Sequence, residues 1–189
     1  ISGLFAHPDG EEPLSRLYAR VAGDPGRFAD LLFASKKLVM RTLMSGELMV
    51  LANLLDRISE ADRRTRDHTL HALRDALMDV VACFPVYRTY VTGTDVKEQD
   101  RRFVNQAIVQ ARRRSPAVDA SAFQLVRSVL LLEDLENWPA ALRETIVDFV
   151  RKFQQYTSPV MAKGLEDTSF YVYNRFVAFN EVGGDPRRF

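Results

Sequence analysis

Apolar residues recur every three or four positions through most of this chain, which is the spacing of one face of an α-helix. The pattern predicts helices over residues 14–21, 28–43, 47–58, 95–114, 119–132 and 137–155, and one from residue 70 to the Phe84-Pro85 pair. Asp95 followed by Glu98 resembles a capping box, and Asp119 provides a second N-terminal cap. The joints are short, so we expect a mainly α fold, a multi-helix bundle.

Two segments depart from this helical pattern. From Val86 to Val91, β-branched and aromatic residues alternate, which favours a short extended segment. Residues 159–186 carry five aromatic residues beside Lys, Glu, Asp and Asn without a long apolar stripe. We therefore expect an irregular C-terminal tail with short strands. The chain divides into a helical domain over residues 1–156 and a C-terminal segment over residues 157–189.

The charge balance narrows the classes of partner. The 189 residues include 26 basic and 25 acidic ones, a net charge of +1, which argues against nucleic acid or an acidic membrane surface as a partner. One cysteine, Cys83, excludes an internal disulfide and lies in an apolar run, as a buried thiol would. No membrane-spanning run or export signal is evident, so we expect a cytoplasmic protein. The chain begins at Ile1 and ends at Phe189 just after a turn signal, as an excised piece of a longer protein would.

Several polar clusters suggest chemistry but have simpler explanations. His68 and His71 lie three residues apart, yet no third residue has metal-ligand spacing, so we expect no metal site. Glu133, Asp134 and Glu136 lie in a polar joint where nothing is expected to shift a pKa, so we expect a solvated loop rather than a general acid and base. The arginines of 112–114 end a helix, where positive charge stabilises the helix dipole.

The C-terminal segment has the composition of a sugar-binding surface. Polar side chains donate to and accept from hydroxyls, while aromatic rings cover the apolar faces of a sugar. Lys163 and Asp167 lie four residues apart, beside Tyr171 and Tyr173, and we take these four residues as candidates for substrate binding. The alternative is a structural salt bridge over a buried aromatic strand.

Arg88 is a fifth candidate for substrate binding. It lies between Tyr87 and Tyr90, where an arginine can present a rigid fork of donors. A role in bracing the fold is an equal alternative.

These segments resemble a known family, the maltooligosyl trehalose synthases. The resemblance runs from residue 33 to 186. It is carried by two longer sequences, MAKGLEDTSFYVYNRFVAFNEVGGDP at 161–186 and VVACFPVYRTYV at 80–91. It is also carried by residues 36–40, by Glu47 with Leu51-Ala52, and by Arg66-Asp67 with Leu70 and Leu73. Gly46 departs from it, since the family's pattern suggests a serine or a similar residue there.

The resemblance implies a fold and an activity. It implies a helical insertion domain of a (β/α)8-barrel enzyme of the α-amylase clan of glycoside hydrolases, with residues 157–189 returning the chain to the barrel. The implied reaction is an intramolecular transglucosylation, an isomerase activity without a cofactor, that turns the reducing-end α-1,4 bond of a maltooligosaccharide into an α,α-1,1 bond.

The resemblance also implies partners and site residues. Lys163, Asp167 and Tyr171 match the family's motif, on the reducing-end side of the bound maltooligosaccharide. The partners are this substrate and the remainder of the chain's own catalytic barrel. The family's catalytic carboxylates lie in motifs that are absent from these 189 residues, so we assign no catalytic residue and predict that the chain alone is inactive. The alternative is a non-catalytic helical protein-interaction module, which would carry a rimmed apolar patch on its helices.

Overall fold

The chain forms a helical bundle, as its periodicity predicts. A computed structural model describes residues 6–23, 26–63, 65–93 and 95–187. The α-helices are α1 (Glu11–Ala22), α2 (Phe28–Thr42), α3 (Ser45–Ala61), α4 (Leu70–Ala82), α5 (Glu98–Arg114), α6 (Ala120–Leu130), α7 (Ala140–Met161) and α8 (Phe170–Val172). A π-helix (Ala162–Ser169) joins α7 to α8, and 3₁₀ turns occupy Pro8–Gly10, Leu135–Asn137 and Val177–Phe179.

The core forms around α4, which contacts α2, α3, α5 and α6. The apolar stripes predicted from the sequence meet there: Leu55 of α3, Leu77 of α4 and Phe149 of α7 are fully buried. The Phe84 and Phe153 rings meet edge to face with their centroids 5.3 Å apart. Burial of these stripes is what stabilises the bundle.

The helix starts were predicted with mixed success. Asp119 caps α6 by accepting a hydrogen bond from the Ser121 backbone N–H, and this bond lowers the pKa of its carboxyl group. The prediction of a cap at Asp95 was wrong, because α5 begins at Glu98 with Lys97 as its N-cap. Asp95 instead forms an isolated bridge with Thr92 across a turn.

The segment from Val86 to Val91 is anchored to α7 rather than paired in a sheet. The Val91 N–H donates to Oε1 of the buried Gln154 at 2.6 Å, and Nε2 of Gln154 donates to the Val91 carbonyl at 3.1 Å. One side chain thus satisfies the backbone groups that a neighbouring strand would otherwise satisfy. The described residues contain no β-strand.

The expected short strands in the C-terminal tail are likewise not observed in the described part of the chain. Helix α7 continues through Pro159 to Met161, and the chain stays helical to Val172. Beyond that point it is irregular except for one 3₁₀ turn. The predicted boundary between residues 156 and 157 lies within α7 and stays a prediction, and residues 1–5 and 188–189 of the two predicted domains lie outside the described residues.

A second apolar cluster fixes the C-terminal segment to the N-terminal helices. Phe28, Met161, Leu165, Phe170 and Tyr173 are buried together. In addition, the Arg175 guanidinium donates to the Ser15 hydroxyl at 3.2 Å and to the Pro186 carbonyl at 2.8 Å. The first and last described parts of the chain therefore support each other.

None of the helices in the described ranges is, by itself, long and apolar enough to cross a membrane. Helices α2 and α3 satisfy the length and composition requirement only when taken together, and they are bent by 88°.

Candidate functional site

The site predicted from the sequence lies on the π-helix and α8. We define Lys163, Asp167 and Tyr171 as the candidate wall. Lys163 is half-buried, Asp167 is exposed, and the Tyr171 side chain is 79% exposed. The candidate wall therefore presents one amine, one carboxylate and one aromatic ring along a single helical segment.

The π-helical winding of this segment is held by side chains as well as by the backbone. The Thr168 hydroxyl donates to the Lys163 carbonyl at 2.8 Å, and the Ser169 hydroxyl donates to the Gly164 carbonyl at 2.7 Å. Both bonds span five residues, the spacing of a π-helix. This feature was missed from the sequence, although π-helical turns are frequent at functional sites.

Lys163 and Asp167 do not form the salt bridge that was weighed as a structural alternative. Within the described residues, no ion pair or hydrogen bond joins the two side chains. Their spacing of four residues favours pairing in an α-helix, but the π-helix widens the turn. The ammonium and carboxylate groups are thus available to an external ligand.

Tyr173 lies apart from the candidate wall. Its side chain is 9% exposed, and its ring centroid lies 5.1 Å from that of Phe28 and 5.5 Å from that of Tyr18. It fills the second apolar cluster, whereas Tyr171 faces solvent.

Arg88 contacts its neighbours in sequence. Its guanidinium carbon lies 4.7 Å from the Tyr90 ring centroid, and its Nε donates to the Thr89 carbonyl at 3.4 Å. This geometry fits the bracing role, because the donor fork lies over a ring of the same segment. No described contact joins Arg88 to the candidate wall.

Tyr87 connects the extended segment to the π-helix. Its hydroxyl donates to Oε1 of Glu166 in a short hydrogen bond. Burial and this bond raise the pKa of Tyr87 to about 12. Tyr87 and Glu166 were not predicted as a pair, since 79 residues separate them in sequence.

Lys36 of α2 lies beneath the π-helix. Its side chain is 1% exposed, and its Nζ donates to the Phe84 carbonyl at 2.9 Å. Burial lowers the pKa of Lys36 to about 8. A Cβ added at Gly164 would lie 2.7 Å from Cγ and 3.1 Å from Cα of Lys36, so glycine permits this close approach.

Two of the other polar clusters contain ion pairs. His71 Nε2 lies 3.2 Å from the Asp75 carboxylate, and the Arg127 guanidinium lies 2.8 Å from the Glu133 carboxylate. Across the described ranges, no three His, Cys, Asp or Glu side chains are grouped as metal ligands.

Comparison with known proteins identifies what the fold resembles. The chain superposes over its full length on maltooligosyltrehalose synthase from Arthrobacter ramosus, with a TM-score of 0.75 and 29% sequence identity, and covers 21% of that structure. It also superposes over its full length on a glycosyltrehalose synthase, with a TM-score of 0.61 and 26% identity, and covers 19% of it. The chain therefore spans about a fifth of the length of these solved structures.

Sequence comparison agrees over a shorter stretch. Over 38 residues, the chain is 53% identical to a protein named "Putative maltooligosyl trehalose synthase" in two strains of Mycobacterium tuberculosis. The match covers 20% of this chain and 5% of that protein, and no protein-family model matches the chain. The resemblance to maltooligosyl trehalose synthases indicated by the sequence is confirmed.

Proposed function

We propose that this chain, which is similar to a segment of the maltooligosyltrehalose synthases, is a helical part of a longer enzyme that forms maltooligosyl trehalose. The observation that carries the proposal is the structural match to the Arthrobacter ramosus enzyme over the whole chain. We further propose that residues 1–156 are an insertion domain and that residues 157–189 lead into the catalytic barrel of an enzyme of the α-amylase clan. The proposed location is the cytoplasm.

The proposed reaction converts the reducing-end α-1,4 bond of a maltooligosaccharide into an α,α-1,1 bond. In a retaining mechanism, one carboxylate attacks the anomeric carbon while a carboxylic acid protonates the leaving oxygen. The released glucose must then turn and attack the covalent intermediate through its own anomeric hydroxyl. We place both carboxylates in the rest of the enzyme, so this chain alone is expected to be inactive.

The candidate wall supplies what the turning glucose requires. An ammonium group at Lys163 donates to sugar hydroxyls, a carboxylate at Asp167 accepts from them, and the exposed Tyr171 ring can stack on a sugar face. Such contacts keep the glucose close to the intermediate while water is excluded. Tyr87 and Lys36 support this surface from below through Glu166 and Gly164.

Exposed apolar residues of the tail support contact with the rest of an enzyme. Val172, Val177 and Val182 are exposed by more than half. The alternative function is a protein-interaction module, and the exposed Leu43 and Val50 on the α2–α3 corner are the observation that favours it. That corner lies on the helices, so the two surfaces are separately testable.

Replacing Lys163 with methionine in the complete enzyme is expected to raise the KM for maltopentaose by about tenfold, because one charged hydrogen-bond donor to the sugar is lost. The measurement is steady-state kinetics of maltopentaose conversion. Lys152→Met is the matched control, because Lys152 is a half-buried lysine of α7, like Lys163, and its contact is a 3.8 Å ion pair with Asp148. Equal kinetics for both variants would remove Lys163 from the substrate site.

A further inference from the structure

A cavity of about 340 Å³ lies between α2, α5 and the residues that follow α4. Its lining includes Lys36, Cys83 and Phe84, together with residues of α5. The cavity is of the size that binds small molecules in other proteins. It is distinct from the candidate wall, since none of Lys163, Asp167 and Tyr171 lines it.

Among the described residues, no carboxylate pairs with the buried ammonium of Lys36. Its described hydrogen bond goes to one backbone carbonyl, that of Phe84, although an ammonium group has three donors. Neighbouring cations are neutralised: Lys37 pairs with Asp79 at 2.5 Å, and Arg114 pairs with Asp30 at 2.7 Å. A buried charge without a counter-charge is costly, so this position favours an incoming anion.

Side chains of α5 that can donate hydrogen bonds line the same cavity. Gln106, Gln110 and Arg114 are each four residues apart, which puts them on one face of the helix, and all three line the cavity. Arg187 completes this set and pairs with Asp185 at 2.8 Å. No acidic residue lines the cavity in the described part of the chain, and burial raises the pKa of the Cys83 thiol to about 11, so it adds no negative charge near neutral pH.

We propose that this cavity is a binding site for a small oxyanion of the phosphate class, with Lys36 as its counter-charge and Gln106, Gln110 and Arg114 as further donors. An oxyanion offers several acceptor oxygens, which match an ammonium, two amides and a guanidinium. The same donors serve inorganic phosphate and the phosphate group of a small organic molecule. The inference does not depend on the proposed function.

Titration of the 189-residue chain with inorganic phosphate at constant ionic strength tests the site. Isothermal titration calorimetry is expected to show saturable binding near neutral pH. Lys36→Met and Gln110→Leu are each expected to weaken it by about tenfold or more, because each removes a donor. Gln110→Leu leaves the net charge unchanged and alters an exposed position, so its result stands even where Lys36→Met disturbs folding.

The controls distinguish specific binding in the cavity from a general effect of salt on the protein. Lys152→Met removes one positive charge at a residue that does not line the cavity and is expected to bind phosphate as the unaltered chain does. Three results would overturn the proposal: no binding of phosphate, displacement of phosphate by an equal concentration of chloride, or unchanged affinity in Gln110→Leu. Weaker binding of a sugar phosphate than of inorganic phosphate would assign the site to the free ion.

Discussion

Substitution of Gly164 by alanine is expected to destabilise the chain by roughly 1–3 kcal/mol, the usual cost of overpacking. The added Cβ would lie 2.7 Å from Cγ, 3.1 Å from Cα and 3.2 Å from N of Lys36. Two of these atoms belong to the backbone of α2, so a change of the Lys36 rotamer would relieve only the contact with Cγ. The π-helix and α2 must move apart, which also exposes part of the second apolar cluster.

Gly46→Ala is the matched control for this experiment. Gly46 also lies in a helix, but a Cβ there meets no atom within 4 Å. Alanine is favoured over glycine in helices, so this variant is expected to gain about 0.5–1 kcal/mol. Chemical denaturation of both variants measures the difference. Equal stability of the two would mean that the π-helix does not rest on Lys36 as described.

Substitution of Lys36 by methionine is expected to remove most of a pH dependence of stability. The pKa of Lys36 is about 8 in the folded chain and has a reference value of 10.5. Between pH 8 and 10.5 the unfolded chain binds more protons than the folded chain does, so the free energy of unfolding rises with pH in this range. This gain in stability is lost again as the pH falls to about 8. Across the whole range, the ionisation of Lys36 changes the free energy of unfolding by about 3 kcal/mol.

Lys36→Met lacks this ionisation and is expected to be more stable than the unaltered chain near neutral pH. Replacing a buried charge by an apolar side chain of similar shape is often stabilising, although the bond to Phe84 is lost. Its advantage should shrink as pH rises from about 8 towards 10.5. The measurement is denaturation across this range in a buffer without phosphate.

Three further groups contribute to the stability curves of both proteins. The pKa values of Cys83, Tyr87 and Tyr156 are raised, so each lowers stability as pH rises above its unfolded pKa. Tyr87 and Tyr156 occur in both proteins without a direct interaction with Lys36, whereas Cys83 interacts with it electrostatically, so the difference between the two curves reports Lys36 together with its coupling to Cys83. Parallel curves for the two proteins would contradict the buried, uncompensated ammonium.

Periodicity was sufficient for most helices because their stripes face one core. It failed for the C-terminal segment, where mixed aromatic and polar residues suggested strands. The predicted helix ended at residue 155, yet the helix continues through Pro159 to Met161 and changes to π spacing through hydrogen bonds at Thr168 and Ser169. Those bonds, and the close approach at Gly164, depend on tertiary packing that a local pattern does not contain.

Only part of the candidate site could be predicted from the sequence, because some of its side-chain environments depend on residues that are distant in sequence. Sequence spacing placed Lys163, Asp167 and Tyr171 on one segment, and the structure exposes the last two. It could not separate Tyr171 from Tyr173, because their environments are set by Phe28 and Tyr18, far away in sequence. Lys36 did carry a signal, since it shares a helix face with the buried Val39 and Met40.

Conversion of maltopentaose by the complete enzyme tests the central claim most directly. An α,α-1,1 bond consumes the reducing end, so we expect reducing ends to disappear without release of glucose. The 189-residue chain alone should leave maltopentaose unchanged. Release of glucose with a rise in reducing ends, or no change with the complete enzyme, would contradict the proposed function.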